Sequence, residues 1–200
     1  MITLLGSVAL FLLAVVVVSL GWLHFQPTGL SPVRNAVSQY GITRFRAGYR
    51  VATIAFGVSA LALAAGIYRA VPRGGRALVA ALLLAFAAAR CLISWFPMDT
   101  PGQARTQSGQ RHGLLAFVAF ASVTIAAFRL GSVLSNEQRW HSLATISTAL
   151  GFAMLVCLVG LSVARSAPPV RAVFGAVERG FYVSVIAWFA VFSLACALRP

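Results

Sequence analysis

The sequence predicts an all-α integral membrane bundle of six transmembrane helices, with a short interfacial helix between spans 1 and 2. Two observations predict this class. Hydrophobic residues make up 60% of the 200-residue chain and charged residues only 10%, whereas a soluble domain averages about 25% charged residues. Six apolar runs are also long enough to cross about 30 Å of hydrocarbon, which takes about 20 helical residues. A chain with so little charge cannot cover a water-exposed surface, so lipid must be its main solvent.

The predicted spans are about 2–23, 48–71, 75–96, 112–134, 142–164 and 177–198. Each must be a helix, because lipid offers no partners to unpaired backbone groups. The first run has no basic segment before it and exceeds the roughly 7–15 apolar residues of a signal peptide, so we expect it to be retained. Together the spans predict a single six-helix transmembrane domain over residues 1–200. The connections after spans 1, 3 and 5 then lie on one face of the membrane.

The connection between spans 1 and 2 contains the segment SPVRNAVSQYG. Ser31 suits a helix N-cap, Pro32 the first helical position and Gly41 the C-terminal cap, which predicts a helix of two to three turns at the membrane surface. This helix would place Val33, Val37 and Tyr40 on one face and Asn35 and Ser38 on another. Such a helix could bind a ligand or simply lie at the interface as an amphipathic element.

The net charge of +13 would suggest nucleic-acid binding in a soluble protein. Here the arginines fall mostly in the connections, where they meet lipid headgroups, so we predict the bilayer and not nucleic acid as the partner. The connections after spans 1, 3 and 5 hold more arginines than the opposite face, but the difference is too small to assign the cytoplasmic side. Every basic residue is arginine and alanine is abundant, which is typical of a GC-rich bacterial genome. We therefore expect an integral, multi-pass protein of a bacterial inner membrane, and no oligomeric state is predicted.

Scarce polar residues converge at one predicted membrane boundary. The chain has only three acidic residues and three histidines. Four of these six residues lie on the face of the first connection: His24 at the end of span 1, Asp99 after span 3, His112 at the start of span 4 and Glu178 at the start of span 6. Glu137 and His141 lie at the opposite boundary. This one-sided distribution predicts a polar site.

Arg90 is an ionisable residue inside predicted span 3. It precedes the end of the span at Phe96 by about 9 Å at 1.5 Å per residue. A charged side chain at that depth costs about 3 kcal/mol or more unless it is paired or reaches water. Ser94 lies one turn nearer the boundary, so Arg90, Ser94 and Asp99 outline a polar path, with Glu178 as a partner for Arg90. The alternative is that Arg90 reaches the interface alone by extending its side chain.

Several chemistries fit these residue types. Asp99 and His112 could form a general acid–base pair, with the hydroxyl of Ser38 activated beside them. His24, Asp99 and His112 also carry the donor atoms that zinc takes, although no HExxH motif is present. Haem b is disfavoured, because His24 and His112 could face each other only at the boundary. A structural alternative is that Asp99 ties the connection after span 3 by accepting backbone N–H bonds.

The chain resembles a family of bacterial multi-pass proteins called domain of unknown function 998. The matching elements are Asn35 and Ser38 in RNAVSQYG, Phe96, Pro97 and Asp99 after span 3, His112 at the start of span 4, and Arg179 with Trp188 in the last span. The family's first element often continues with a glutamate where this chain has Gln39. The resemblance implies a six-helix membrane fold and no established activity.

These observations predict a polar pocket at one membrane boundary that binds a lipid headgroup or a small polar molecule. The predicted lining is Asn35, Ser38, Arg90, Asp99, His112, Glu178 and Arg179. In this interpretation the arginines, together with Asn35 and Ser38, hold anionic or polar groups of the ligand, and Asp99 orients His112. One alternative is a membrane hydrolase or transferase using Asp99 and His112, with or without zinc. Another is a structural or assembly partner that binds no ligand.

Overall fold

The computed structural model describes residues 1–71, 73–136, 138–167 and 171–198, and these ranges contain helices and no strand. The long helices are α1 (Ile2–His24), α2 (Arg46–Ala70), α3 (Arg76–Leu92), α4 (Gln107–Ser135), α5 (His141–Ser166) and α6 (Phe174–Ala197). Short 3₁₀ helices cover Val37–Ile42, Ile93–Trp95 and Gln138–Trp140. All six long helices, with α3 continued to Trp95, are long and apolar enough to cross a membrane. The predicted fold class is confirmed, and the six apolar helices indicate an integral membrane protein.

The helix boundaries differ most from the predicted spans at the start of α4. This helix begins at Gln107 and not near residue 112. The reason is the N-cap Thr106, whose Oγ1 accepts a hydrogen bond from the N–H of Gly109 at 3.0 Å. A capped first turn made of polar residues carries no hydropathy signal, so the apolar pattern marked only the later part of the helix.

The helices form a ring in which each long helix packs against its neighbours in sequence, and α6 closes the ring by packing against α1. Helices α2 and α6 also meet across the bundle. The rings of Phe56 of α2, Phe86 of α3 and Phe189 of α6 contact one another there, with centroids 5.0–5.5 Å apart. Gly57 lets α2 and α3 approach closely, because a Cβ there would lie 2.8 Å from the carbonyl oxygen of Ala87.

A buried chain of hydrogen bonds joins three helices in the apolar interior. The indole Nε1 of Trp188 in α6 donates to Oγ of Ser147 in α5 at 2.8 Å. That hydroxyl in turn donates to the carbonyl oxygen of Ala127 in α4 at 2.7 Å. These two hydrogen bonds satisfy both polar side chains in the apolar interior, so they fix the register of the three helices without leaving either side-chain donor unpaired.

The short helix predicted in the first connection is present, but it is a 3₁₀ helix that begins later than the predicted N-cap Ser31. A turn at residues 32–34 is followed by the 3₁₀ helix Val37–Ile42, whose N-cap Ala36 is extended. The cause is tertiary, because α6 takes the backbone groups that a helix would use internally. The N–H of Val37 donates to Glu178, while the carbonyl oxygen of Val33 accepts from the N–H of Ala176. Val33 consequently does not share a buried face with Val37, since it is 50% exposed and Val37 only 1%.

Candidate functional site

Arg179 anchors the first connection to α6. Its Nε donates to Nε2 of His24 at 2.8 Å, and its Nη1 donates to the carbonyl oxygens of Pro32 and Asn35 at 2.6 and 2.8 Å. A guanidinium can only donate, so Nε2 of His24 is an acceptor and Nδ1 carries the proton. Nδ1 then donates to the carbonyl oxygen of Leu20, 2.6 Å away. Both predicted residues, Arg179 and His24, therefore serve this anchor.

Glu178 and Gly175 complete the anchor on the same helix. The buried carboxylate of Glu178 accepts a hydrogen bond from the N–H of Val37 at 2.8 Å. Gly175 is required by close approach, because a Cβ there would lie 2.6 Å from the carbonyl oxygen of Pro32 and closer still to that of Asn35. The first turns of α6 thus hold both the turn and the 3₁₀ helix of the first connection.

Asn35 also has its polar groups engaged within the first connection. Its Oδ1 accepts from the N–H of Ser31 at 2.8 Å, and its Nδ2 donates to Oε1 of Gln39 at 2.6 Å. Gln39, the residue at which the chain departs from the family's usual glutamate, is buried. The Asn35 side chain therefore shapes the connection from inside.

Arg90 is buried in the bundle and does not extend to the interface. It is 2% exposed, and its Nη1 donates to Oη of Tyr182 in α6 at 2.9 Å. Its guanidinium carbon also lies 5.7 Å from the ring centroid of Phe56 and 5.3 Å from that of Tyr182, within cation–π range. The carboxylate of Glu178 interacts with this charge electrostatically. The hydrogen-bond partner of Arg90 is therefore Tyr182, which the sequence did not single out, and not Glu178.

Asp99 caps the start of α4. Its Oδ1 accepts from Oγ1 of Thr106 at 2.6 Å and from the N–H of the same residue at 3.2 Å. Gly109 lies directly against this carboxylate, where a Cβ would collide with it. A negative charge at a helix N-terminus is also favoured by the helix dipole. This geometry matches the structural alternative for Asp99.

His112 is held by a backbone carbonyl and not by Asp99. Its Nδ1 donates to the carbonyl oxygen of Phe96 at 2.8 Å, and the side chain is buried. The expected orienting contact from Asp99 is not formed, because the carboxylate is engaged by Thr106 and acts on His112 only through space. The neutral imidazole then presents Nε2 as an acceptor.

The residues considered for zinc are not brought together. His24 is bonded to Arg179, Asp99 to Thr106 and His112 to the Phe96 carbonyl. In the described part of the chain, no three His, Cys, Asp or Glu residues are grouped as metal ligands would be. Zinc binding stays a prediction. Of the two residues at the opposite boundary, His141 begins α5 and Glu137 lies outside the described residues.

A pocket of about 520 Å³ lies at the boundary where the first connection, the start of α2, the end of α3 and the start of α4 meet. We call it the boundary pocket. Its lining is Ser38, Gly41, Arg46, Ala47, Tyr49, Arg50, Val51, Ile54, Ile93, Ser94, Trp95, Pro97, Met98 and His112. Ser38 and His112 are therefore the predicted site residues that line it. The other five predicted residues support its walls or lie beneath it.

Polar atoms without hydrogen-bond partners are concentrated at this pocket. Oη of Tyr49, Oγ of Ser94 and Nε of Arg90 are buried and make no hydrogen bond of good geometry within the described structure, and the Tyr49 hydroxyl lies close to the Arg90 guanidinium. Tyr49 and Ser94 are lining residues. Arg90 precedes Ser94 by one turn and interacts electrostatically with Tyr49. Ser38 donates only to the thioether of Met98, at 3.2 Å, which is a weak acceptor. Buried polar groups are nearly always paired, so this concentration makes the boundary pocket the candidate site.

Tyr49, Arg46 and Arg50 are lining residues that sequence reasoning missed. A tyrosine near the end of a span is ordinarily an interfacial side chain, and arginines flanking it suggest headgroup contact. Their spacing over one helical turn places all three toward one end of α2. What distinguishes Tyr49 from an interfacial tyrosine is its burial, at 3% exposure. That burial follows from the packing of α2 against the end of α3, which the sequence does not show.

Comparison with known proteins gives a family but no characterised relative. No curated protein and no solved structure matches this chain. The family model described as "Protein of unknown function (DUF998)" matches residues 5–195. The match includes most or all of each of the six helices and contains the Arg179 anchor and the boundary pocket. The chain therefore belongs to this family of proteins of unknown function, DUF998.

Proposed function

We propose that the protein binds a lipid headgroup or a small polar molecule in the boundary pocket. The observation that carries the proposal is the set of buried, unpartnered polar atoms: Oη of Tyr49, Oγ of Ser94 and Nε of Arg90. Each unsatisfied buried group costs about 1–3 kcal/mol. A ligand that accepts hydrogen bonds from them would remove this cost, which gives binding a physical driving force.

The size and the position of the pocket support the same function. Ligand pockets commonly measure about 300–1,000 Å³ and combine apolar walls with a few polar groups, and this one has a volume of about 520 Å³. Ile54 and Ile93 supply apolar wall, while Tyr49 and Ser94 supply hydroxyls. The pocket lies at the ends of spans, the depth at which headgroups meet acyl chains.

A hydrolase or transferase is the second candidate, favoured by one observation. His112 lines the pocket and donates from Nδ1 to the Phe96 carbonyl, which leaves Nε2 as a base. The binding proposal is preferred because Asp99, the acid expected to assist His112, instead accepts from Thr106. A structural or assembly role without a ligand would leave the unpartnered hydroxyls unexplained.

We also propose a bacterial inner membrane as the location. The spans are helices, and the chain is rich in alanine and uses arginine without lysine. Fractionation of the host membranes tests this proposal. Recovery of the full chain in the inner-membrane fraction is expected, and recovery elsewhere would overturn it.

Native mass spectrometry of the full chain released from membranes tests the binding proposal. The variant Tyr49→Phe/Ser94→Ala removes two unpartnered hydroxyls, so it should fold as well as the wild type yet lose a stoichiometric bound molecule. Ser193→Ala is the matched control, because the hydroxyl of Ser193 is also buried and unpartnered but lies on α6, outside the pocket lining. A wild type that carries no molecule, or a double variant that keeps it, would overturn the proposal.

A further inference from the structure

We infer that the occupant of the boundary pocket is anionic, with a phosphate or carboxylate group held by Arg50 and Arg46 together with the hydroxyls of Tyr49 and Ser94. This inference rests on the proposed function and adds the sign of the charge and the chemical class of the ligand. The apolar wall of the pocket selects an anionic lipid over a soluble anion as the source.

The aspartate, glutamate and arginine side chains differ in their share of the pocket lining, where the charged residues are all positive. Arg46 and Arg50 line the pocket, and its described lining includes neither aspartate nor glutamate. Glu178 interacts electrostatically with Tyr49 and Arg90 from behind the wall, but its carboxylate accepts the N–H of Val37. An opening lined by charges of one sign concentrates ligands of the opposite sign.

Arg90 adds a second, independent source of positive charge beneath the pocket. Its hydrogen bond goes to a neutral phenol, that of Tyr182, and its Nε is unpartnered. Glu178 acts on this charge electrostatically. A buried guanidinium whose hydrogen bond goes to a neutral group is costly, and an oxyanion in the pocket above would lower that cost through the low-dielectric interior.

The first turn of α2 contributes in the same direction. Arg46, Ala47 and Tyr49 belong to this turn, Arg50 follows it directly, and all four residues line the pocket. The N-terminus of a helix carries a partial positive charge, which favours an anion nearby. The buried hydroxyl of Tyr49 on this turn makes no hydrogen bond of good geometry in the described structure and lies beside the guanidinium of Arg90.

The apolar wall favours a lipid as the source of the anion. Val51 and Trp95 line the pocket and are 48% and 54% exposed on the outside of the bundle. In a membrane this surface touches acyl chains. An anionic phospholipid could therefore place its phosphate against Arg50 while its chains stay in the bilayer beside Val51. The guanidinium of Arg50, stacked 5.2 Å from the ring centroid of Trp95, is already held at this edge.

Binding of defined probes to the full chain tests the inference. The probes are phosphatidylglycerol, phosphatidylcholine and inorganic phosphate, and affinity is measured by native mass spectrometry and by thermal unfolding in detergent. Phosphatidylglycerol should bind at least about tenfold more tightly than phosphatidylcholine, the factor expected for one charge-assisted hydrogen bond. Arg50→Gln should remove about tenfold of the phosphatidylglycerol affinity, and helix content measured by circular dichroism verifies that the variant is folded.

Arg44→Gln is the matched control for Arg50→Gln. Arg44 is exposed and stacks on an aromatic ring, that of Phe45 at 4.8 Å, but it does not line the pocket. Its replacement should leave phosphatidylglycerol affinity within about twofold, because an exposed charge outside the site is screened by salt. An equal loss in both variants would mean that surface charge alone attracts the lipid, which overturns the inference.

The remaining outcomes separate the inference from the proposed function. Binding of phosphatidylglycerol without any effect of inorganic phosphate identifies a lipid as the occupant. Saturable stabilisation by phosphate that Arg50→Gln removes identifies a soluble anion. In both cases the occupant is anionic. Equal affinity for the two lipids, still lost in Tyr49→Phe/Ser94→Ala, keeps a binding pocket but refutes an anionic occupant. Binding of none of the three probes refutes the anionic inference, and a molecule retained from the native membrane then decides the proposed function.

Discussion

Nε of Arg179 and Nε2 of His24 lie 2.8 Å apart, and this hydrogen bond joins the beginning of α6 to the end of α1. The same guanidinium holds the first connection through the carbonyl oxygens of Pro32 and Asn35. Because Ser38 of this connection lines the boundary pocket, the anchor positions one wall of the pocket without lining it. Arg179 and His24 therefore act on the site through the backbone that they hold.

Replacing Arg179 should destabilise the protein. Arg179→Ala is expected to lower the free energy of unfolding by about 3 kcal/mol, because hydrogen bonds to a charged donor are lost and carbonyl groups are left unpaired. Arg179→Lys should recover little of this, since a single ammonium cannot reach both the imidazole and the carbonyls in the geometry of the guanidinium. Unfolding in detergent, followed by circular dichroism, measures both variants.

Arg34→Ala is the control for this prediction. Arg34 lies in the same connection and is exposed, so its removal should change the free energy of unfolding by less than about 0.5 kcal/mol. If Arg34→Ala and Arg179→Ala were equally destabilised, the loss would reflect overall charge, and the anchor would be irrelevant to stability.

Gly175→Ala should also release the first connection. The added Cβ would lie 2.6 Å from the carbonyl oxygen of Pro32, so the connection must shift and the hydrogen bond from Val37 to Glu178 must lengthen. We expect a loss of about 1–3 kcal/mol, typical of overpacking, measured by the same unfolding experiment. Gly21→Ala is the matched control, because its Cβ meets nothing within 4 Å and a helical alanine is preferred to glycine by up to about 1 kcal/mol. Greater stability in both variants would contradict the close approach at Gly175.

The apolar pattern was sufficient to predict the six helices, because burial in lipid depends on the composition of about 20 consecutive residues. Local capping signals at Ser31 and Gly41 predicted a short helix in the first connection, but not its 3₁₀ form or its bounds, Val37–Ile42. The hydrogen bonds that decide the outcome come from α6, distant in sequence: Glu178 binds the N–H of Val37. Local propensity was overridden by a tertiary contact, as is common for short segments.

The residues that line the boundary pocket overlap only partly with the residues predicted for the site. Scarcity and sidedness singled out Ser38 and His112, and both line the pocket. These signals cannot tell a lining residue from a supporting one, because a side chain's partners depend on three-dimensional neighbours. Arg179 and Asp99 proved to be supports. Tyr49 was missed because its role lies in an unpartnered hydroxyl, which only packing reveals.

Asp99 provides the sharpest separation between a structural role and catalysis. Asp99→Ala should lower the free energy of unfolding by about 1–2 kcal/mol, because it removes the acceptor that holds Thr106 at the N-cap of α4. Thr106→Val should cost a similar amount, while Thr106→Ser, which keeps the hydroxyl, should be close to wild type. The double variant Asp99→Ala/Thr106→Val should be clearly less destabilised than the sum of the two single variants, since both lose the same contact.

Ligand retention in these variants decides what the cap means for function. Because Asp99 does not line the boundary pocket, a folded Asp99→Asn variant should still carry the molecule bound by the wild type, with an affinity changed by less than about threefold, which corresponds to about 0.6 kcal/mol. Native mass spectrometry beside thermal unfolding measures both quantities on one sample. An Asp99→Asn variant with unchanged stability and an abolished turnover would instead make this carboxylate catalytic. The loss of a helix cap lowers stability, so a loss of turnover alone would not be explained by capping.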